Sequence, residues 1–251
     1  MSILGYAAAV SASHTPALAD IATRLLATDK PTWFDNPAIS RRLWPATLET
    51  LYMTGLSSLI TVLLGLPLGL LLVATSKRGV LANRTVNSVL GAIVNIGRSI
   101  PFIILMIALI PFTRFVMGSA IGWTSAVLPL AVAAIPFFAR LVETSVLAVD
   151  PGKVEAATMM GATGRQVMFG VQVREALPGI VQGITVLIIT IVGYSAIAGV
   201  LGGGGLGTLA YNYGYQRYQT DTMISTVVII VLIVQLVQMM GDMLSRLVDH
   251  R

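Results

Sequence analysis

Side chains that could do chemistry are few and widely separated in this sequence. The two histidines, His14 and His250, lie near opposite ends of the chain, and there is no cysteine. A metal site needs several such ligands at close range, and a nucleophile needs a neighbouring base. The sequence therefore predicts no catalytic residue and no metal site.

A glycine-rich segment, Gly202-x-Gly204-x-x-Gly207, matches the letters of a dinucleotide-binding fingerprint. That fingerprint requires a β-strand directly before the glycines. Here they follow a long apolar stretch instead. A phosphate-binding Gly-x-x-x-x-Gly-Lys-Ser/Thr loop is absent from the sequence. We therefore expect this chain to hold no cofactor of its own.

The composition is that of an integral membrane protein. Hydrophobic residues make up 55% of the chain and charged residues only 11%, and the mean hydropathy is +0.84. Soluble domains carry roughly a quarter charged residues, and a spanning helix needs about 20 apolar residues. Stretches of this length predict an all-α fold with five spans, at about 50–76, 86–117, 123–148, 176–200 and 222–248.

An odd number of spans places the termini on opposite sides of the membrane, and positively charged loops mark the cytoplasmic side. Basic residues are concentrated after the first and third spans and at the C-terminus. We therefore expect the N-terminus outside and the C-terminus inside, although Arg41 and Arg42 in the N-terminal segment oppose this orientation. The supporting residues are Lys77, Arg78, Arg84, Lys153, Arg165, Arg174, Arg246 and Arg251.

Residues 1–45 are expected to form an external, poorly ordered extension before a transmembrane domain at 46–251. Ala17-Leu18-Ala19 is similar to a signal-peptidase site, but a basic start and a strong apolar core are missing. The alternative is a mobile segment that leads into a surface helix near 17–28. The net charge of +5 is explained by the loops between spans, so no nucleic-acid partner is indicated.

Arg98, Arg140 and Glu143 are charged residues inside apolar stretches, and each needs an explanation. Arg98 precedes Pro101, which breaks the helical ladder and frees backbone groups. An arginine inside a membrane indicates function by default, and the alternative is that Arg98 caps the freed carbonyls or extends toward the membrane surface. Arg140 and Glu143 share a helix face, so we expect them to neutralise one another.

A short helix is predicted at about 151–161, in the loop after the third span. Asp150 can accept from the first free N–H groups, Pro151 suits the first helical position, and a glycine suits the position just after the end. Small residues let a partner approach closely, and methionines give flexible apolar contacts. The alternative is an amphipathic helix on the lipid head groups. The candidate docking residues are Glu155, Ala156, Ala157, Met159, Met160, Gly161 and Ala162.

Tyrosines are concentrated in the loop that follows the glycine-rich segment. Aromatic residues at a membrane edge usually form an interfacial belt. Tyrosine and arginine also anchor protein interfaces, and this is the only large external loop. It is therefore the candidate docking site for an external protein, through Tyr211, Tyr213, Tyr215, Arg217 and Tyr218.

From Trp44 onward the chain resembles the permease subunits of methionine importers, within the binding-protein-dependent ABC importers. The Glu-Ala-Ala-x-x-x-Gly segment at 155–161 is the importer-wide motif, and Arg174 stands where that motif has a proline. The segments specific to the methionine group are Gly202–Gly207 and Tyr213–Tyr215; Val94–Phe102 and Gly193–Ala196 also carry the resemblance.

This resemblance implies a homodimeric pathway in a bacterial inner membrane. Two ATPase subunits, which hold ATP and Mg, would bind the coupling helices at 151–161, and an external binding protein would deliver D- or L-methionine. Closure of the ATPase dimer would then move the spans between inward-open and outward-open states. This chain would be a transport subunit and not an enzyme.

The end of the fourth span is poor in bulky residues, which marks close helix packing or a closable constriction. In a dimer, Ser195 and Ile197 are expected to face their counterparts across the axis, beside Tyr194. Together with Arg98 these residues form the candidate pathway. The alternative functions are a secondary transporter, a channel, or a permease for another amino acid.

Overall fold

The computed structural model describes residues 33–77 and 79–249, and every regular element in this part of the chain is helical. This confirms the predicted all-α fold. Both histidines, the Ala17–Ala19 segment that is similar to a signal-peptidase site, and the alternative helix near 17–28 lie outside the described residues.

The first long helix, α1, is Leu43–Thr75, and a 3₁₀ turn at Trp33–Asp35 and a π-helical turn at Ala38–Arg42 precede it. The expectation of a poorly ordered extension is wrong for residues 33–45. Buried Asn36 anchors them, because its side-chain amide donates to Gln219 Oε1 at 3.1 Å, Asp221 Oδ2 at 3.0 Å and Thr222 Oγ1 at 3.1 Å.

The predicted second span is broken into three helices. The chain bends by 99° between the first two of them, because Pro101 supplies no N–H and holds Ile100 in an extended conformation, with φ −83° and ψ 122°. Pro111 lies at the start of the third helix. The helices are α2 at Arg84–Ser99, α3 at Phe102–Ala108 and α4 at Ile110–Met117.

In the second half of the chain, the three long helices begin and end within three residues of the predicted span bounds. Glycines in the α9 region allow tight crossing: a Cβ atom on Gly207 would lie 2.5 Å from the carbonyl oxygen of Ala196. Helix α9 therefore packs directly on the end of α8. The elements are α5 at Trp123–Leu147, α6 at Pro151–Met159, α7 at Gly164–Gln166, a π turn at Val167–Gln172, α8 at Val173–Val200, α9 at Gly205–Leu209, a π turn at Ala210–Tyr215, and α10 at Thr220–Val248.

Four of the described helical segments are long and apolar enough to cross a membrane, and the bent pair α2–α3 makes a fifth if it counts as one span. Helices α1, α5 and α8 form the centre, where Phe138, Met53 and Leu187 are fully buried. By contrast, α10 exposes apolar side chains such as Val228 and Leu232. An apolar exposed face suits contact with lipid or with another membrane helix.

The loops divide into two groups at opposite ends of the molecule. At one end the Gly122 N–H donates to the Gly202 carbonyl at 2.9 Å, so the loops before α5 and after α8 are neighbours. At the other end Gly164 packs against Val80, so the loop after α1 touches the segment that follows α6. We call the end with the Gly122–Gly202 contact the loop end, and the end with the Gly164–Val80 contact the α6 end.

Candidate functional site

The predicted coupling helix is α6, and its start has the expected cap. Pro151 occupies the first helical position, and the Asp150 carboxylate accepts a hydrogen bond from the Gly152 N–H at 2.8 Å. This bond satisfies one of the free amide groups at the helix start. The N-terminal boundary predicted from Asp150 and Pro151 is therefore confirmed.

The end of α6 is a glycine cap of the Schellman type. Ala162 N–H donates to the Ala157 carbonyl at 3.1 Å, and Gly161 N–H donates to the Thr158 carbonyl at 3.0 Å. Gly161 has φ +83°, a conformation that costs side-chain-bearing residues about 1–2 kcal/mol. The position therefore requires glycine, as the sequence predicted.

The two faces of α6 differ sharply in exposure. Ala157 is buried against the rest of the chain, whereas Met159 is 90% exposed and Met160 82% exposed. Glu155 and Ala156 are also exposed, and Ala162 is half-buried. Two neighbouring methionines so open to solvent, on a helix that is too short to span a membrane, form an apolar contact surface of the kind that binds a partner protein.

An ion pair joins α6 to the start of α8. Lys153 Nζ lies 2.5 Å from Glu175 Oε2, and both side chains are partly exposed. Sequence reasoning missed this pair, because its members are 22 residues apart and no helical spacing relates them. The pair connects the candidate docking surface to a spanning helix.

The expected pathway residues on α8 are not on one face. Ser195 is buried, and its hydroxyl donates to the Val192 carbonyl at 2.7 Å. In the single chain it therefore faces the packed interior, and its place in a constriction between two copies stays a prediction. Ile197 is exposed, and it lies on an open stripe of α8 with Val186, Gly193 and Val200.

Tyr194 connects α8 to the broken span. Its ring stacks on Phe102 with a centroid separation of 4.4 Å and an interplanar angle of 3°. Phe102 begins α3, directly after the Pro101 bend, so this stack holds the bend against α8. Arg98, one turn before the bend, is exposed, and among the described residues it has no hydrogen-bond or ion-pair partner. It does not cap the carbonyls freed by Pro101.

The predicted pairing of Arg140 with Glu143 is confirmed. Arg140 Nη1 lies 2.5 Å from Glu143 Oε2, and Arg140 Nη2 donates to Asn95 Oδ1 at 2.7 Å. Asn95 lies on α2, so the network ties the broken span to α5 close to the bend. The sequence contained Asn95 in the Val94–Phe102 segment, but no spacing rule relates it to Arg140.

Two side chains of α1 hold the glycine-rich loop. The Glu49 carboxylate accepts from the Gly205 N–H at 2.7 Å, and Thr50 Oγ1 accepts from the Leu206 N–H at 2.9 Å. They satisfy free amide groups at the start of α9. Sequence reasoning missed Glu49, although an acidic residue beside a long apolar run is itself a signal of a specific partner.

The tyrosine-rich loop separates into packed and exposed residues. The guanidinium carbon of Arg217 lies 4.4 Å from the centroid of the Tyr213 ring, and that of Arg42 lies 5.4 Å from it. Tyr211 stacks on Tyr215 with the centroids 5.7 Å apart. Tyr218 is 81% exposed and Tyr215 64% exposed. The exposed part of the predicted docking surface is therefore Tyr215, Arg217 and Tyr218.

Similarity to known proteins identifies the family. Residues 65–251 match the binding-protein-dependent transport system inner membrane component family. The chain belongs to this family. Membership confirms the prediction of a multi-pass transport subunit rather than an enzyme.

Relatives narrow the resemblance further. The chain is 49% identical over 209 residues to a probable D-methionine transport system permease protein of Vibrio cholerae, covering 83% of this chain and 93% of that protein. It is 46% identical over 219 residues to a methionine import system permease protein of Bacillus subtilis, covering 87% and 98%. The resemblance to methionine-importer permeases predicted from the sequence is confirmed.

A solved structure shares the fold. An inward-facing conformation of the MetNI methionine ABC transporter contains a chain that aligns with a TM-score of 0.80 and 45% identity, over 83% of this chain and 96% of that one. The helical arrangement described above is thus that of an ABC transporter permease.

Proposed function

We propose that the chain is the permease subunit of an ATP-driven importer for D- or L-methionine or a closely related small amino acid. The chain aligns with a probable D-methionine permease and a methionine import permease at 49% and 46% identity, and each alignment covers nearly the whole length of the relative. The observation that carries the proposal is the capped helix α6, whose Met159 and Met160 are exposed outside the spans. A permease that receives its energy from a separate ATPase needs such a contact surface.

The coupling step uses α6 as a rigid connector. Two ATPase subunits, which hold ATP and Mg, bind the α6 surfaces of two copies of this chain. Their closure moves α6, and the Lys153–Glu175 pair and the Gly164–Val80 contact carry the displacement into α8 and α1. The spans then tilt as rigid bodies between inward-open and outward-open arrangements.

The pathway lies between two copies of the chain, along the exposed stripe of α8. Ile197 and Gly193 narrow it near the loop end, and Tyr194 fixes this part of α8 through its stack on Phe102. An apolar lining is sufficient for a thioether side chain. Arg98 faces the same aqueous route, because a charge without a protein partner needs water or a substrate carboxylate.

The loop end receives an external binding protein on Tyr215, Arg217 and Tyr218. These side chains are exposed, and aromatic and arginine residues bury large areas at low rotamer cost. Replacing Tyr215 and Arg217 together is expected to reduce binding-protein-stimulated ATPase activity by more than about tenfold and to leave basal activity in place. Equal loss of basal and stimulated activity would contradict the docking role.

The α6 end faces the cytoplasm and the N-terminal segment faces outside. Basic residues in short loops favour the cytoplasmic side, and those at the α6 end include Lys77, Arg84, Lys153 and Arg165. Membrane lipid surrounds the remaining apolar surface.

The test of the proposal is co-purification of the chain with the ATPase of its transport system. Gly161→Val places a β-branched residue at φ +83°, which costs about 1–2 kcal/mol and shifts the helix end. ATPase association should fall about tenfold. Gly170→Val is the matched control, since Gly170 is exposed, has open space around it and lacks a positive φ. Unchanged association of the Gly161 variant would refute the coupling role.

A further inference from the structure

An apolar cleft of about 890 Å³ opens at the α6 end. Leu66 and Leu70 of α1 form one wall, Leu81 of the following loop forms the second, and Met168 and Phe169 of the π turn before α8 form the third. The volume lies within the range of about 300–1,000 Å³ that is usual for small-molecule sites. The transport mechanism proposed above uses the Gly164–Val80 contact at the edge of this cleft but assigns no ligand to its interior.

Backbone features explain why the cleft exists. Pro67 lies inside α1, where a proline interrupts the hydrogen-bond ladder and bends a helix. At the other side Gly164 is in close contact with Val80, so that a Cβ atom on Gly164 would overlap the valine side chain. The loop after α1 is thus held on the segment after α6, and space remains between that contact and the part of α1 near Pro67.

The cleft extends over about one leaflet of a membrane. Its lining on α1 runs from Leu66 to Ala74, and α1 ends at Thr75. Nine helical residues rise about 13 Å, and half of a bilayer's hydrocarbon core is about 15 Å thick. The cleft therefore begins at the membrane surface and ends near the midplane, as an acyl chain does.

The rim of the cleft is cationic and its mouth is apolar. Arg165 lines the rim and Lys77 stands just beyond the end of α1; both are exposed, and among the described residues neither has an ion-pair partner. Phe169 is 56% exposed and Leu81 64% exposed. Exposed apolar side chains beneath an unpaired guanidinium match a ligand with a hydrocarbon chain and an anionic head.

We propose that an anionic phospholipid of the leaflet at the α6 end occupies this cleft. One acyl chain lies between α1 and Phe169, and the head-group phosphate binds the Arg165 guanidinium, which can donate two parallel hydrogen bonds to phosphate oxygens. Lys77 adds attraction for a net negative head group. The site goes beyond the proposed transport function and requires only that α1 spans the membrane.

The bound lipid would connect α1 with the segment leading out of α6. Met168 and Phe169 lie in the π turn that follows α6 and the short helix α7, and this π turn contacts α6. A lipid in the cleft therefore fills the space across which α6 and α1 move relative to one another. We expect a bound anionic lipid to reduce the movement of α6 relative to α1.

The experiment uses the full chain, purified with its ATPase and placed in nanodiscs that contain a photoactivatable acyl probe. The probe is carried either by phosphatidylglycerol or by phosphatidylcholine of the same chain length, and adducts are mapped by peptide mass spectrometry. Peptides with Leu66–Ala74 and Met168–Phe169 should be labelled at least about fivefold more by phosphatidylglycerol, the factor for the about 1 kcal/mol that one basic residue, Arg165, contributes.

Arg165→Ala should remove most of this preference, and Arg174→Ala should keep it, since Arg174 is exposed but does not line the cleft. The exposed apolar side chains of α10 at Val227, Val228, Val231 and Leu232 are the internal control, and this face should be labelled equally by both lipids. Equal labelling of the cleft, or a preference unchanged by Arg165→Ala, would overturn the proposal. Absence of adducts would also overturn it and would mean that the ATPase or a second copy covers the cleft.

Discussion

Glu49 is the charged side chain that connects the start of α1 to the glycine-rich loop. Its carboxylate accepts a hydrogen bond from the Gly205 N–H at 2.7 Å, and Gly205 has φ +71°, a conformation that glycine adopts without strain. Glu49→Ala leaves the amide unsatisfied and should lower the free energy of unfolding by about 1.5–3 kcal/mol. Thermal unfolding in detergent measures the change.

Glu49→Gln is the matched control, because its amide oxygen still accepts the Gly205 N–H. It should retain most of the stability, and hydrogen exchange at the Gly205 amide should remain slower than in Glu49→Ala. Equal exchange in the two variants would show that the hydrogen bond does not hold the loop.

Helix caps and ion pairs within one helix could be predicted from the sequence, because each depends on residue types at fixed local positions. Asp150, Pro151 and Gly161 are cap residues with fixed positions, and the Arg140–Glu143 pair follows from helical spacing; the structure bears out each of them. Ser195 could not be placed in the same way. In a helix where small residues occur on every side, composition does not tell which side is exposed, and only the packing of the folded chain separates buried Ser195 from exposed Ile197.

At the level of elements, the Lys153–Glu175 pair is the direct side-chain link between α6 and α8. Exposed ion pairs contribute only about 0–1 kcal/mol to stability, so Lys153→Glu should leave the fold intact. It places two acidic side chains together, and the methionine transported per ATP hydrolysed should fall by about twofold to fivefold. Uptake and phosphate release in proteoliposomes measure the ratio.

Lys153→Glu combined with Glu175→Lys restores opposite charges and should recover the ratio. Arg174→Glu, a charge reversal beside Glu175 on the same helix, is the control for general charge effects. If the double reversal were no better than Lys153→Glu alone, the pair would not transmit motion from α6.

The positions of the spans could be predicted from apolar length, and the bend in the second span could be predicted only in part. Pro101 predicted a break in the helical hydrogen-bond ladder, but the 99° angle could not be predicted. The helices on either side of the bend are held by contacts with residues distant in sequence: Phe102 stacks on Tyr194, and Arg140 donates a hydrogen bond to Asn95. The segment before α1 was mispredicted for a similar reason. Its order comes from Asn36 and its bonds to residues near the start of α10, which no local pattern reveals.

For the whole molecule, the open stripe of α8 predicts how two copies meet. Cysteine at Ile197 should crosslink to its counterpart when the transporter rests inward-open, and the crosslink should disappear when ATP is trapped. Cysteine at Ser195 is the matched control, because the buried side chain should give little crosslinking in either state. If Ile197→Cys crosslinked equally with and without trapped ATP, the contact between the two copies at this residue would not change during transport.

The central claim is that this chain moves methionine with energy supplied by a partner ATPase, and uptake in proteoliposomes tests it most directly. Labelled methionine should accumulate only when ATP, the ATPase and the binding protein are present, and Gly161→Val should abolish accumulation while Gly170→Val does not. Accumulation without the ATPase, driven by an ion gradient, would contradict the account and make the chain a secondary transporter.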